Sequence, residues 1–347
     1  MELKDVIFIV VIMMIFVILF MNIVKKIAIY IGAMDIPDKR KVHKAPIPRL
    51  GGLGIYAGFL LGYMLFGHQS LQMNSILIGS FIIIITGMID DIKPIPAKYK
   101  FLGQLVAALI IPFYGGIVLR DVSAFGIYIN FGILSYSLTA FFIVGAINCV
   151  NLIDGLDGLA GGISAIYFLT IGVISMVLQN TNGLDTVLTF IMLGCTLGYL
   201  KHNFYPASIF MGDTGSMFLG YMIAVIALLG YKNVTFTSFI VPIFLLAIPI
   251  IDTSFAILRR FINHQPISMP DKNHLHHQFL KKNFSQRKTV LTIYAIDLLF
   301  ATASILYVLG DFKVGLVIYG ILFVIILSLV LKTDIIFDRS KKNEEKK

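Results

Sequence analysis

Four aspartate stretches end or begin long apolar runs: Asp90-Asp91, Asp154-Gly155-Leu156-Asp157, Met211-Gly212-Asp213-Thr214-Gly215, and Asp252. Carboxylates are costly in lipid, so acids at such places point to a site. Asp90 and Asp91 are followed by Lys93, Lys98 and Lys100, with Pro94 and Pro96 between them. A carboxylate pair beside lysines suits a hard cation whose shell is completed by phosphate oxygens. A solvated helix end with snorkelling lysines has the same pattern. Asp154 and Asp157 are three apart and share a face if helical. Gly155 and Gly158 let a substrate approach the backbone. A glycine-rich interhelical turn explains those glycines but not two acids in a turn without a basic residue.

The third stretch admits two readings. Asp213 or Thr214 could cap the helix that follows. A helix N-terminus beside glycines also suits a phosphate, to which Asp213 could bring a metal. Tyr205 and Phe210 offer aromatic faces for a base. His274-Leu275-His276-His277 lies in a basic loop and reads as phosphate hydrogen bonding. Zinc is disfavoured, because no cysteine is near and the acids prefer hard cations. His68 and His264 read as loop residues without a role, and His202 is open. The segment from Asp38 to Gly52 holds Lys39, Arg40, Lys41, Lys44 and Arg49 with Pro46 and Pro48. A stiff basic strand over carboxylates has the makings of a diphosphate clamp.

These residues need a scaffold, and composition says which kind. The 347 residues are 58% hydrophobic and only 14% charged, with a mean hydropathy of +0.89. Apolar runs near span length recur at roughly 5–24, 50–67, 74–90, 101–119, 134–152, 158–178, 184–200, 214–230, 236–257, 289–309 and 312–331. The expectation is an all-α polytopic membrane bundle of about eleven transmembrane helices. The first run reads as an anchor, not a removed signal. Residues 1–334 form a single integral membrane domain and 335–347 a charged tail. Residues 120–133 alternate like a small surface hairpin. Cys149 and Cys195 lie inside apolar runs, so no disulfide framework is expected. Neither an internal repeat nor an inverted-repeat signature of a transporter is evident.

The net charge of +9 does not imply nucleic acid. Sorted by alternate loops, 24 of the 28 lysines and arginines fall on one side, and only Lys4, Arg120, Lys232 and Lys313 on the other. The positive-inside rule then puts the N-terminus outside and the C-terminus in the cytoplasm, with all four acid stretches and the histidine motif on the cytoplasmic face.

Taken together, the chain resembles the polyprenyl-phosphate N-acetylhexosamine-1-phosphate transferases (glycosyltransferase family 4). The resemblance covers almost the whole chain. It rests on Arg40-Lys41-Val42-His43, Pro48-Arg49-Leu50-Gly51-Gly52, Asp90-Asp91, the stretch from Asn151 to Ala160, the stretch from Phe210 to Ser216, and His274-Leu275-His276-His277. Gln265-Pro266-Ile267-Ser268 and Asp271-Lys272 look most like the Gram-positive teichoic-acid branch. The resemblance implies UDP-GlcNAc as donor, undecaprenyl phosphate in membrane lipid as acceptor, Mg2+ (or Mn2+) as cofactor, and allows a homodimer. It implies Asp213 as metal ligand with Asp91 helping, and Asp90 as a candidate base. It places Asn151, Asp154, Asp157, Asn203 and Phe210 around the nucleotide. Lys44, Arg49, Lys98, Lys100, His274, His276 and His277 are left for phosphate or sugar.

Two departures argue against the peptidoglycan paralogue, a phospho-MurNAc-pentapeptide transferase. That paralogue has three consecutive histidines, where Leu275 interrupts here, and a further aspartate soon after the pair, where Ile92, Lys93 and Pro94 stand. An ion-coupled transporter would need acids near the bilayer midplane and broken helices. A scaffold without chemistry leaves the acid set unexplained.

Overall fold

A computed structural model describes residues 1–37, 45–124, 127–178, 183–232, 240–266 and 274–331. The expected Lys44, the segment from Asp38 to His43, Asp271-Lys272 and the charged tail lie outside the described residues. Helices dominate: α1 (Leu3–Ile31), α2 (Gly51–Phe66), α3 (Leu71–Ile92), α4 (Ala97–Phe113), α5 (Ser135–Ile153), α6 (Leu159–Val177), α7 (Leu184–Asn203) and α8 (Gly212–Lys232). They continue as α9 (Ile240–Leu245), α10 (Ala247–Ile262), α11 (Leu275–Lys281), α12 (Gln286–Leu309) and α13 (Phe312–Leu331). The fold is not purely helical. β1 (Met34–Asp35) pairs antiparallel with β2 (Ile47–Pro48), and β3 (Asp121–Ala124) with β4 (Ile127–Asn130). The second pair is the hairpin that the alternation at 120–133 predicts.

Among the described residues, seven helical stretches are long and apolar enough to cross a membrane, which makes this a multi-pass membrane protein. Helix α8 is the hub. Its apolar window is 89% buried, against 28% for α1. Around it pack α2, α3, α5, α6 and α7. The peripheral α1 buries a stripe of Met13, Val17, Met21 and Val24 and exposes Phe8, Ile15 and Leu19, a surface that lipid can solvate. Close approach at the hub needs small residues. A Cβ on Gly52 would lie 2.1 Å from the Gly215 nitrogen, so α2 and α8 touch backbone to backbone where the site is built. Both cysteines are buried and free, as expected.

Three expectations need correction. The run 236–257 is not one continuous helix among the described residues. It breaks between α9 and α10, because Pro249 lacks an N–H and its ring collides with the carbonyl four residues back, at Leu245. The run 101–119 is a helix displaced to Ala97–Phe113, so Lys98 and Lys100 belong to its first turns, not to a loop. Asp154 and Asp157 share no helical face, since α5 ends at Ile153 and α6 starts at Leu159.

Candidate active site

Asp91 closes α3 and organises what surrounds it. Its Oδ1 accepts from the Asp213 backbone N–H (2.9 Å) and from Arg49 Nε (3.1 Å) and Nη2 (2.9 Å). Its Oδ2 accepts from the Thr214 N–H (3.0 Å) and hydroxyl (2.6 Å). Asp91 therefore caps α8 from another helix, and both of its oxygens are engaged. Gly212 makes this turn at φ +69°, and a Cβ there would lie 2.3 Å from Asp91 Oδ2.

With the cap supplied by Asp91, the side chain of Asp213 is freed from that task. Its Oδ2 accepts from Lys100 Nζ at 2.8 Å, and its Oδ1 from the Asn151 amide at 3.3 Å. Asn151 also donates to Ser216 Oγ at 2.8 Å. Asp90 accepts from the Ile95 N–H (3.0 Å) and from Lys100 Nζ (3.0 Å). One ligand atom from each of Asp90, Asp91 and Asp213 falls within 4.8 Å of the others. This all-oxygen set with an amide beside it fits a hard divalent cation such as Mg2+. Among the described residues the histidines join no such group.

A cavity of about 720 Å3 opens beside Asp213. Arg49, Asn151, Asp154, Asp157, Phe210 and His277 are among its walls. Backbone pairing builds one wall: the Phe210 N–H donates to the Pro48 carbonyl (2.8 Å) and the Gly51 N–H to the Phe210 carbonyl (2.8 Å). Arg49 is thereby fixed between Asp91 and Asp35, the latter at 3.6 Å. Asn203 and Asp157 staple the turn between α5 and α6 to the segment that leads into Phe210. Asn203 accepts from the Gly158 N–H (2.9 Å) and donates to the Ile209 carbonyl (3.0 Å), while Asp157 accepts from the Ala207 N–H (2.9 Å).

Asp154 lies in that turn and lines the cavity. Desolvation, then the neighbouring Asp213 and Asp91 carboxylates, push its pKa up to about 7. The sign of the linkage follows. The folded protein holds this proton where the unfolded chain has lost it, so its stability falls as pH rises from about 4 to about 7. Asp154→Asn is expected to flatten that decline. Parallel melting curves of both proteins across this pH range would refute the assignment.

The histidine motif splits. Asp252 on α10 accepts from the Leu275 N–H (2.7 Å) and pairs with His274 Nδ1 (2.9 Å), so His274 is an anchor and not part of the cavity lining. His276 is buried against Gly155, and among the described residues neither ring nitrogen has a partner. Burial, with His277 and His274 beside it, keeps its pKa well below the ordinary histidine range. Only His277 of the three faces the cavity. Lys98 is not brought in either. It sits two residues from Lys100, on the other side of α4, with its ammonium 4.9 Å from the Tyr99 ring centre.

Sequence reasoning passed over three contributors. Asp35 lines the cavity and pairs with Arg49. Gln286 at the start of α12 also lines it. The Tyr294 hydroxyl donates to the Gly158 carbonyl and holds the acid-bearing turn from α12. Asp35 had a signal, as one of two acids, with Asp38, just ahead of a basic run; a mid-span tyrosine had none.

A membrane helical hub with an oxygen-ligand cluster beside a cavity of mixed polar and apolar lining suits a phosphoglycosyl transferase, and the chain belongs to glycosyl transferase family 4, whose match covers residues 73–231. It is 43% identical over 322 residues to a probable undecaprenyl-phosphate N-acetylglucosaminyl 1-phosphate transferase of Bacillus subtilis (strain 168), covering 92% of this chain and 89% of that protein. It is 33% identical to the decaprenyl-phosphate N-acetylglucosaminephosphotransferase of Mycolicibacterium smegmatis, over 78% of this chain and 74% of the relative. An undecaprenyl-phosphate alpha-N-acetylglucosaminyl 1-phosphate transferase of Escherichia coli O157:H7 is 28% identical over 83% and 80%.

Proposed function

We propose that this enzyme transfers GlcNAc-1-phosphate from UDP-GlcNAc to undecaprenyl phosphate at the cytoplasmic membrane face, as the first step of a teichoic-acid linkage unit. A lipid-phosphate oxygen forms a bond to the sugar-linked phosphorus, the diphosphate P–O bond breaks, and UMP leaves. The observation that carries this reading is the joining of Asp90, Asp91 and Asp213 at the edge of a nucleotide-sized cavity, in a chain so similar over its length to the B. subtilis protein.

Two anions must meet, and their repulsion is the first obstacle. Arg49 and His277 both line the cavity and Lys100 stands beside it on Asp213. Their fixed donors favour the charge that builds on the transferring phosphoryl group. Asp213, with Asp90 alongside, would hold Mg2+ or Mn2+, which supplies charge neutralisation between phosphate oxygens when bound; Asp91, expected as the second ligand, instead has both oxygens committed to Arg49 and the first turn of α8. Phe210 and Tyr205 border the space for the uracil ring. Asp90 has one oxygen on a backbone N–H and one on Lys100, so its role as proton acceptor requires that lysine to shift.

Purified protein in detergent, given labelled UDP-GlcNAc, undecaprenyl phosphate and Mg2+, should form a lipid-linked sugar and UMP. UDP-MurNAc-pentapeptide should turn over far more slowly, given the interrupted histidine motif. Comparable turnover of both donors would overturn the donor assignment, and absence of any lipid product would overturn the reaction.

The charge bias supports eleven crossings with the N-terminus outside, within one membrane domain over 1–334, and a cytoplasmic tail over 335–347. Cysteine placed at the exposed Lys4 should react with an impermeant thiol reagent on whole cells, and cysteine at the exposed Lys282 should not. The reverse pattern would invert the topology.

A further inference from the structure

We infer that Lys100 and the divalent cation are alternative occupants of one place, and that Lys100 gives up Asp213 when the cation binds. This rests on the transferase reading above. The carboxylate oxygens of the cluster are not equally available. Both oxygens of Asp91 are taken by Arg49 and by the first turn of α8. Asp90 Oδ1 is held by the Ile95 N–H and Asp213 Oδ1 by Asn151. Asp90 Oδ2 and Asp213 Oδ2 remain, and among the described residues each is held by Lys100 alone, at 3.0 and 2.8 Å. The two oxygens best placed to receive a cation are thus the two that an ammonium bridges.

Both cations do not fit at once. Mg2+ sits about 2.1 Å from its oxygens, so it would enter the gap that Nζ fills. An ammonium kept on the same carboxylate would stand within about 4 Å of a double charge, in a half-buried place where repulsion is several times its value in water. The lysine is the part that can yield. The turn before it is stiffened by Pro94 and Pro96 and pinned by Ile95 to Asp90, whereas its four-carbon stem has rotamers to spare. In the cation-free enzyme Lys100 screens the mutual repulsion of Asp90 and Asp213. Once displaced, its charge is available to a phosphate, so cation binding makes a new anion-binding group. A cation would accordingly favour the anionic substrates twice, by its own charge and by the lysine it releases.

The test uses full-length protein in detergent without substrates. Lysine acetylation read by mass spectrometry should show Lys100 protected after chelation and several-fold more reactive in saturating Mg2+, with exposed Lys98 unchanged as the control. Mn2+ binding followed by electron paramagnetic resonance should be about tenfold tighter in Lys100→Met, since a competing charge is gone. Lys100 protection that is unchanged or stronger in Mg2+, with Mn2+ bound, would overturn the exchange and leave the transferase reading intact. Failure of the wild-type protein to bind Mn2+ would overturn the exchange and the metal assignment beneath it.

Discussion

Asp213→Asn is expected to lose transfer by roughly 100- to 1000-fold, the usual scale for one fixed electrostatic contact made in the transition state. Folding should survive. The cap of α8 is Asp91, not Asp213, so an amide at position 213 removes no cap. Lys100 keeps its contact with Asp90, and Asn151 keeps Ser216. The loss should therefore appear in turnover and in the Mg2+ requirement, not in expression or melting temperature. A Mg2+ titration of transferase activity reads both. Wild-type turnover with an unchanged Mg2+ midpoint would take Asp213 out of the metal site. A large fall in melting temperature would instead make Asp213 a structural acid.

Much of this site was legible because chemistry in a membrane stands out. An acid at the end of an apolar run is costly, so Asp90, Asp91, Asp154 and Asp213 announced themselves by type and place. What the sequence hid was the division of labour among them. Asp213 had two readings until the Thr214 and Asp213 amides were seen to point at Asp91, a residue far away in the chain. Lys98 and Lys100 looked alike as loop lysines, and the early start of α4 sent them to different sides. The histidines looked like one unit, yet Asp252 binds the first, Gly155 covers the second and the cavity takes the third. Periodicity located the apolar runs well because hydrophobic content alone marks them. It could not foresee the α9–α10 break, which follows from a single proline geometry.

Asp91→Ala should fail differently from Asp213→Asn, by loss of the fold around the site. Removing this carboxylate leaves the Asp213 and Thr214 amides and the Thr214 hydroxyl without their acceptor, and Arg49, among the described residues, with the 3.6 Å contact to Asp35 and the more distant charge of Asp213. Breaking one side of a buried ion pair costs about 3–5 kcal/mol. Arg49 keeps some exposure, so the lower part of that range is expected. Activity should vanish and the melting temperature should fall markedly, with no rescue by excess Mg2+. A second substitution separates brace from ligand. If the cost is an orphaned guanidinium, Arg49→Met in the Asp91→Ala background should restore part of the lost stability without restoring transfer. Thermal melts of the two single variants and the double variant decide it. If Asp91→Ala instead melts like wild type and recovers activity at high Mg2+, Asp91 is chiefly a metal ligand, and the anchoring of α8 must come from the backbone contacts of Gly51 and Gly52 with Phe210 and Met211.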